Sequence, residues 1–198
     1  IFLHGFNRPN LSLAVQQKTN NWKAQLLEFL ENRKNQSGIV YCLSQKLTEQ
    51  CSEFLRSEGF NAYPFHAGLD TQVKIDTQDK FMTEDNVVVC ATIAFGMGID
   101  KADVRYIAHI SLPSSMEAFY QEIGRAGRDG LEADTLLIFG LQDLFQRKRF
   151  IDMSDAHDSF KIKEHKRLDA LIAYCDSATC RRQTLLSYFK ENCETCGK

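Results

Sequence analysis

Short β-rich apolar runs alternate along the chain with longer stretches whose apolar residues recur at helical spacing. Leu11–Val15, Ile39–Leu43, Asn61–Phe65, Val87–Ala91, Val104–Ile110 and Thr135–Phe139 read as strands. Between them, Trp22–Lys34 carries apolar residues at Trp22, Leu26, Leu27, Phe29 and Leu30, and Gln45–Glu58 stops at Gly59. Thr71–Met82 and Ser114–Ile123 complete the set. Val87–Ala91 is almost wholly apolar, as expected of a central parallel strand covered on both sides. Strands alternating with helices predict an α/β fold, a parallel sheet with helices on both faces. After about residue 140 the strand signal ends, and Leu141–Met153, Phe160–Cys175 and Ala178–Phe189 read as helices. The predicted division is an α/β domain over 1–150 and a small helical appendage over 151–198.

Composition changes this picture little. The chain has 198 residues, 43% hydrophobic and 25% charged, an ordinary balance for one cored domain with an appendage. Its net charge of −2 advertises no nucleic-acid binding by the molecule as a whole. No apolar run approaches membrane-spanning length, so no membrane partner is expected. The chain opens on Ile1 without a Met, as expected of a fragment, and Ile1–Gly5 lacks the basic-then-apolar pattern of a signal peptide. Seven cysteines, an odd number, argue against a disulfide framework and for a reducing compartment.

Candidate chemistry concentrates in Gln121–Gly130. Arg125 and Arg128, three apart, are expected on one side of a helical turn, with only Gly and Ala between them. Two forked guanidiniums on a slim turn suit the oxygens of a transferring phosphoryl group; the same pattern also describes a solvated, glycine-broken helix end. A second segment, Ala91–Asp100, follows the buried strand. Thr92 falls at the strand's C-terminal end, where open α/β sheets bind ligands, and Asp100 could accept hydrogen bonds from a ribose. Alternatively Thr92 is a cap and Asp100 a turn residue. Ser44 opens a helix after a strand, either as a plain N-cap or as one facing a phosphate. His66, taken alone, reads as a structural histidine.

The order of these segments is what distinguishes them. Tyr41–Gln45, His66-Ala67-Gly68, Ala91-Thr92 with Phe95–Asp100, and Gln121–Gly130 follow one another as in superfamily 2 helicases. The run from Ala91 to Pro113 followed by Tyr120–Gly130 closely resembles the RecQ family of ATP-dependent DNA helicases. Phe6–Asn10 resembles the start of that family's second RecA-like domain, and Cys180-Arg181-Arg182 with Thr195–Lys198 its zinc-binding subdomain. The resemblance implies a RecA-like fold and assigns Arg128 as arginine finger, with Arg125 beside it at the γ-phosphate and Gln121 linking nucleotide to DNA. It sets Gly98 and Asp100 near the nucleotide, and Ser44, His66, Gly68 and Thr92 along the DNA backbone. Single-stranded DNA, duplex junctions and the first RecA-like domain are the implied partners, in a bacterial nucleoid or a nucleus, with 3′-to-5′ polarity.

No G-x-x-x-x-G-K-[ST] loop and no acidic magnesium box occur in the chain. The family carries both in its first domain, so ATP and Mg are expected mainly there, and this chain alone should be inactive. Zinc is expected in the intact protein. Spacing alone admits Cys175, Cys180, Cys193 and Cys196 as a four-cysteine set. The family pattern instead matches Cys180 and Cys196 and expects two more ligands past Lys198, with Cys193 a possible substitute. Two other functions stay open at this point: half of a DEAD-box-like RNA helicase, and a non-catalytic nucleic-acid-binding module.

Overall fold

The computed structural model describes residues 5–96 and 99–193. Six strands form one sheet: β1 (Leu11–Gln17), β2 (Gly38–Tyr41), β3 (Asn61–Phe65), β4 (Val87–Ala91), β5 (Tyr106–His109) and β6 (Ala133–Phe139). Every pairing is parallel, and the order is β1-β6-β5-β2-β4-β3. The helices are α1 (Trp22–Leu30), α2 (Gln45–Ser57), α3 (Thr71–Thr83), α4 (Met116–Ile123), α5 (Leu141–Asp152), α6 (Asp158–Asp176) and α7 (Arg181–Tyr188).

The pleat sorts the core. Val40, Val88, Cys90, Tyr106, Ala108, Leu136 and Ile138 face one way and pack on Leu26 and Leu30 of α1 and Cys51 and Leu55 of α2. Their neighbours Ile39, Tyr41, Val87, Val89 and Ile107 face the other way, onto Phe81 of α3 and Phe95, Ile99 and Val104 of the loop after β4. Helices therefore cover both faces, as the sequence predicts. The sheet tolerates Pro64 because β3 is an edge strand, where one missing N–H leaves no neighbour unpaired.

The element ends differ from expectation where pairing or a side chain overrides hydrophobic pattern. β1 runs on to Gln17 because Gln16 and Gln17 stay in register with Ile138 and Phe139 of β6. β5 starts at Tyr106 rather than Val104; the Val104 carbonyl accepts instead from the Gly127 N–H at 2.9 Å. The first helix stops at Leu30 and tightens into a 3-10 turn over Glu31–Arg33, where Arg33 pairs with Asp134.

Among the described residues no strand lies beyond β6, and α5–α7 form the C-terminal part. That part shares a core with the sheet domain. Leu168, Leu171, Tyr174 and Cys175 of α6 and Leu185 of α7 are buried with Met116, Phe119 and Ile123 of α4 and Leu137 of β6. Leu171→Ala is therefore expected to cost about 2–5 kcal/mol, the range for deleting a fully packed leucine. Urea melts should show the loss in a single transition of the whole chain; a separate early transition of the helices alone would contradict the shared core.

Candidate functional site

Strand order gathers the candidate residues. β2, β4 and β3 are neighbours, so Ser44, Thr92 and the His66–Gly68 loop emerge side by side at their C-terminal ends. The Thr92 N–H donates to the Phe65 carbonyl at 3.1 Å. Gly68 lies against Gln45, where any Cβ would meet Oε1 at 2.6 Å, so the loops after β2 and β3 touch. Ser44 is exposed and caps α2, its hydroxyl accepting from the Leu47 N–H at 3.2 Å. Gly68 is exposed and Thr92 half-buried. His66 differs from the other three: its ring is only 3% exposed and turns inward to Glu49 of α2, Nε2 to Oε1 being 3.3 Å. Its side chain shapes this rim and does not project from it.

β5 and β4 are separated by β2, so the chain must cross the sheet between them, and residues 92–105 make that crossing. Phe95 and Ile99 anchor it in the core. Two arginines grip it. Arg125 Nη1 donates to the Gly96 carbonyl, and Arg128 Nη1 donates to the Ile99 carbonyl at 3.0 Å and to Asp100 Oδ1 at 2.6 Å. Gly96 permits this approach, since a Cβ there would stand 2.5 Å from the Arg125 guanidinium. Arg125, Arg128 and Asp100 are thus brought to one place. Gly98 falls outside the described residues. Gln121 is exposed on the last turn of α4.

The two arginines do not share a helical face, contrary to what their spacing predicts. α4 ends at Ile123, and the chain unwinds through bonds from Arg125 N to Glu122 O and Ala126 N to Ile123 O before reversing at Gly127, whose φ is +56°. Only glycine adopts that conformation without strain, and a Cβ there would also strike Asn10 Nδ2 at 2.5 Å and the Leu131 carbonyl at 2.7 Å. Asp129 beyond it pairs with Arg105, which holds its carboxyl below the usual range.

The base of the site is buried and polar. Glu122 meets His109 of β5, Oε2 to Nε2 at 2.8 Å, and His109 stacks on Tyr41 with centroids 5.0 Å apart. The Tyr41 hydroxyl donates to the Phe95 carbonyl at 3.1 Å. Burial pushes that phenol well above its ordinary value, with Arg125 pulling against it, so it remains a donor at neutral pH. Sequence patterns gave no role to Arg8 or Asn10. Yet Arg8 donates to the carbonyls of Gly124, Ala126 and Gly127, and Asn10 to those of Gly127 and Leu131. No local spacing could have signalled contacts more than a hundred residues apart.

With the geometry in place, residues 22–130 match the family described as helicase conserved C-terminal domain, and residues 141–198 match RecQ zinc-binding. The chain belongs to the RecQ family of helicases. It is 39% identical to "ATP-dependent DNA helicase RecQ" of Haemophilus influenzae over 98% of this chain and 32% of that protein. It is 40% identical to "ATP-dependent DNA helicase Q1" of Pongo abelii over 100% of this chain and 30% of that protein. The RecQ chain thus spans about a third of the length of these relatives. A DEAD box protein of the hyperthermophile Methanococcus jannaschii superposes with a TM-score of 0.58 over 72% of this chain and 39% of the other, at 23% identity. That likeness shows the fold alone, a RecA-like helicase domain.

A cysteine binds zinc as its thiolate, and the cysteines of this chain differ in their surroundings. Cys175 sits in the core against α4 and β6, where burial pushes its thiol up to about 12. Its side chain packs among the buried residues of that core. Cys180 stands at the start of α7, half-buried, and Gln183 of the same turn donates to the Cys193 carbonyl at 3.4 Å. Cys196 lies outside the described residues, and no metal-binding group of three or more side chains occurs among the described ones. Cys42, Cys51 and Cys90 are also buried, with thiols raised above their usual range. A raised thiol stays protonated and unreactive below its pKa. Native alkylation with iodoacetamide at pH 8, read by mass spectrometry, is accordingly expected to spare Cys42, Cys51, Cys90 and Cys175. Ready labelling of Cys175 would contradict its placement.

Proposed function

We propose that this chain is the C-terminal motor half of an ATP-dependent 3′-to-5′ DNA helicase, supplying the arginine finger and part of the single-strand track. Residues 1–150 form the motor domain and 151–198 the zinc-binding appendage. The observation that carries the reading is the pairing of Arg125 and Arg128 on the 96–100 loop, on a glycine-shaped turn at the domain surface. Arg128 acts as the finger, Arg125 stands beside the γ-phosphate, and Gln121 connects the nucleotide to DNA. Gly98 and Asp100 take part in nucleotide binding. ATP and Mg are held mainly by a first RecA-like domain carrying the phosphate-binding loop, so this chain alone does not turn over ATP. The names of its RecQ relatives, ATP-dependent DNA helicases, support this reading.

Electrostatics supports a finger that changes partners. Asp100 holds Arg128, but the two side chains are 87% and 35% exposed. An exposed pair of this kind is worth about 0–1 kcal/mol, so a phosphate in a water-poor cleft can displace it. Phosphoryl transfer asks for positioning and charge stabilisation above all. A finger supplied by a second domain makes turnover depend on closure, and closure and opening move the strand. The rim of Ser44, Gly68 and Thr92, with His66 beneath it, contacts DNA phosphates without reading bases. The partners are single-stranded DNA and duplex junctions, in a nucleoid or a nucleus. No helix among the described residues is long and apolar enough to cross a membrane.

In the full-length protein, Arg128→Ala is expected to lower DNA-stimulated ATPase by about 10³-fold or more while leaving ATP affinity nearly intact, because a finger acts on the transition state. Near-normal ATPase would remove Arg128 from catalysis. Cys180 and Cys196 are proposed as two ligands of one structural zinc, whose energy is folding energy. Cys180→Ser should then lower the zinc content of the full-length protein and loosen α7 to proteolysis more than the sheet domain; full zinc content would remove Cys180 from the site.

A further inference from the structure

The turn that carries the two arginines has a problem of its own. Beyond Ile123 the helix ends and the chain reverses at Gly127, so the carbonyls of Gly124 and Ala126 leave the helical ladder, while that of Gly127 accepts from the Gly130 N–H at 3.0 Å within the turn. One guanidinium reaches all three. Arg8 Nη1 donates to Gly124 O at 3.3 Å, and Nη2 donates to Ala126 O at 3.0 Å and Gly127 O at 2.9 Å. Asn10 Nδ2 adds bonds to Gly127 O at 2.9 Å and Leu131 O at 2.8 Å. A cation at this place also suits the negative end of α4.

Arg8 is itself held. Its carbonyl accepts from Arg182 of α7, whose fork also donates to the Leu11 carbonyl and to Asn7 Oδ1 at 3.3 Å. Arg182 is only 9% exposed. Phe6 stacks on Phe189, just past α7, with centroids 4.5 Å apart and planes 7° from parallel, and its carbonyl accepts from Tyr120 of α4 at 2.9 Å. Residues 6–11 are therefore clamped by α7 on one side and hold the arginine turn on the other.

We infer that Arg8 is a positioning residue for the arginine pair, and that Arg182 couples the zinc-binding region to that pair through Arg8. This rests on the reading of Arg128 as a finger. Arg8 makes its side-chain bonds to main-chain carbonyls of the turn, so it acts on catalysis only through Arg125 and Arg128. A guanidinium can reach three carbonyls at once; the single ammonium of lysine cannot hold the same fork. Misplacing a catalytic group by about 1 Å costs about 10²-fold in rate.

The test uses the full-length protein and steady-state ATPase with saturating single-stranded DNA. Arg8→Ala is expected to lower kcat by about 10²-fold with the KM for ATP little changed. Its affinity for ADP alone should match wild type, while its affinity for ADP with aluminium fluoride should fall. Arg182→Ala should show the same split with a smaller loss, and Arg8→Lys should recover part of kcat. Combined with Arg128→Ala, the Arg8 change should cost clearly less than it does alone, since part of its effect runs through Arg128. If Arg8→Ala does not fold, Arg8→Lys carries the test: reduced kcat at unchanged KM supports the inference, and wild-type kcat overturns it. Three results would overturn it while leaving the proposed function standing, provided Arg128→Ala is inactive: wild-type kcat in Arg8→Ala, an equal loss of ADP affinity, or an additive double variant. Wild-type ATPase in Arg128→Ala would instead defeat the proposed function, and this inference with it.

Discussion

The position of β2 between β4 and β5 is the constraint on which the site depends. A chain leaving β4 for β5 must step over an occupied strand position, and a parallel connection must also return to the opposite end of the sheet. The described residues between β4 and β5 do both without a helix. Such a segment has backbone groups that no regular ladder satisfies, and guanidiniums from the turn after α4 bond its carbonyls at Gly96 and Ile99. The same bonds hold the arginines at the surface of the domain. Stabilising the crossing and presenting the arginines are one arrangement.

The bonds differ in strength in a way that fits work. Arg125 is partly buried, and Tyr41, His109 and Glu122 form a polar base beneath it that is almost closed to water. Breaking that base would leave the Glu122 carboxyl and the His109 imidazole unpaired in a low-dielectric interior, which is costly. Arg128 is at the solvent edge, tied to a carboxylate that is itself almost fully exposed. Of the two, Arg128 is the one that can change partners at little cost, and Arg125 the one that keeps the loop in place.

Much of this was legible in the residues. The all-apolar run Val87–Ala91 marked a central strand, and the ordered segments from Tyr41 to Gly130 marked the family. Local periodicity failed where the controlling contact is distant. The polar C-terminal end of β1 is strand because β6 lies beside it, and Arg125 and Arg128 meet one loop through the left-handed Gly127 and not through helical spacing. His66 belongs to the right loop but its ring faces inward, a direction that sequence order does not carry. Spacing treats Cys175 and Cys180 alike, whereas Cys175 is buried in the core and Cys180 half-buried at the start of α7. Arg8 and Arg182 act across more than a hundred residues, so no window on the sequence contained both ends of their bonds.

The central claim is that Arg128 exchanges Asp100 for a transferring phosphoryl group. A crystal structure of the full-length protein with single-stranded DNA, ADP, Mg and aluminium fluoride tests it most directly. The Arg128 guanidinium is expected to have left Asp100 and to lie within hydrogen-bonding distance of the fluoride, with Arg125 still on the Gly96 carbonyl. An Arg128 still paired with Asp100, and a fluoride contacted only by the other domain, would contradict it.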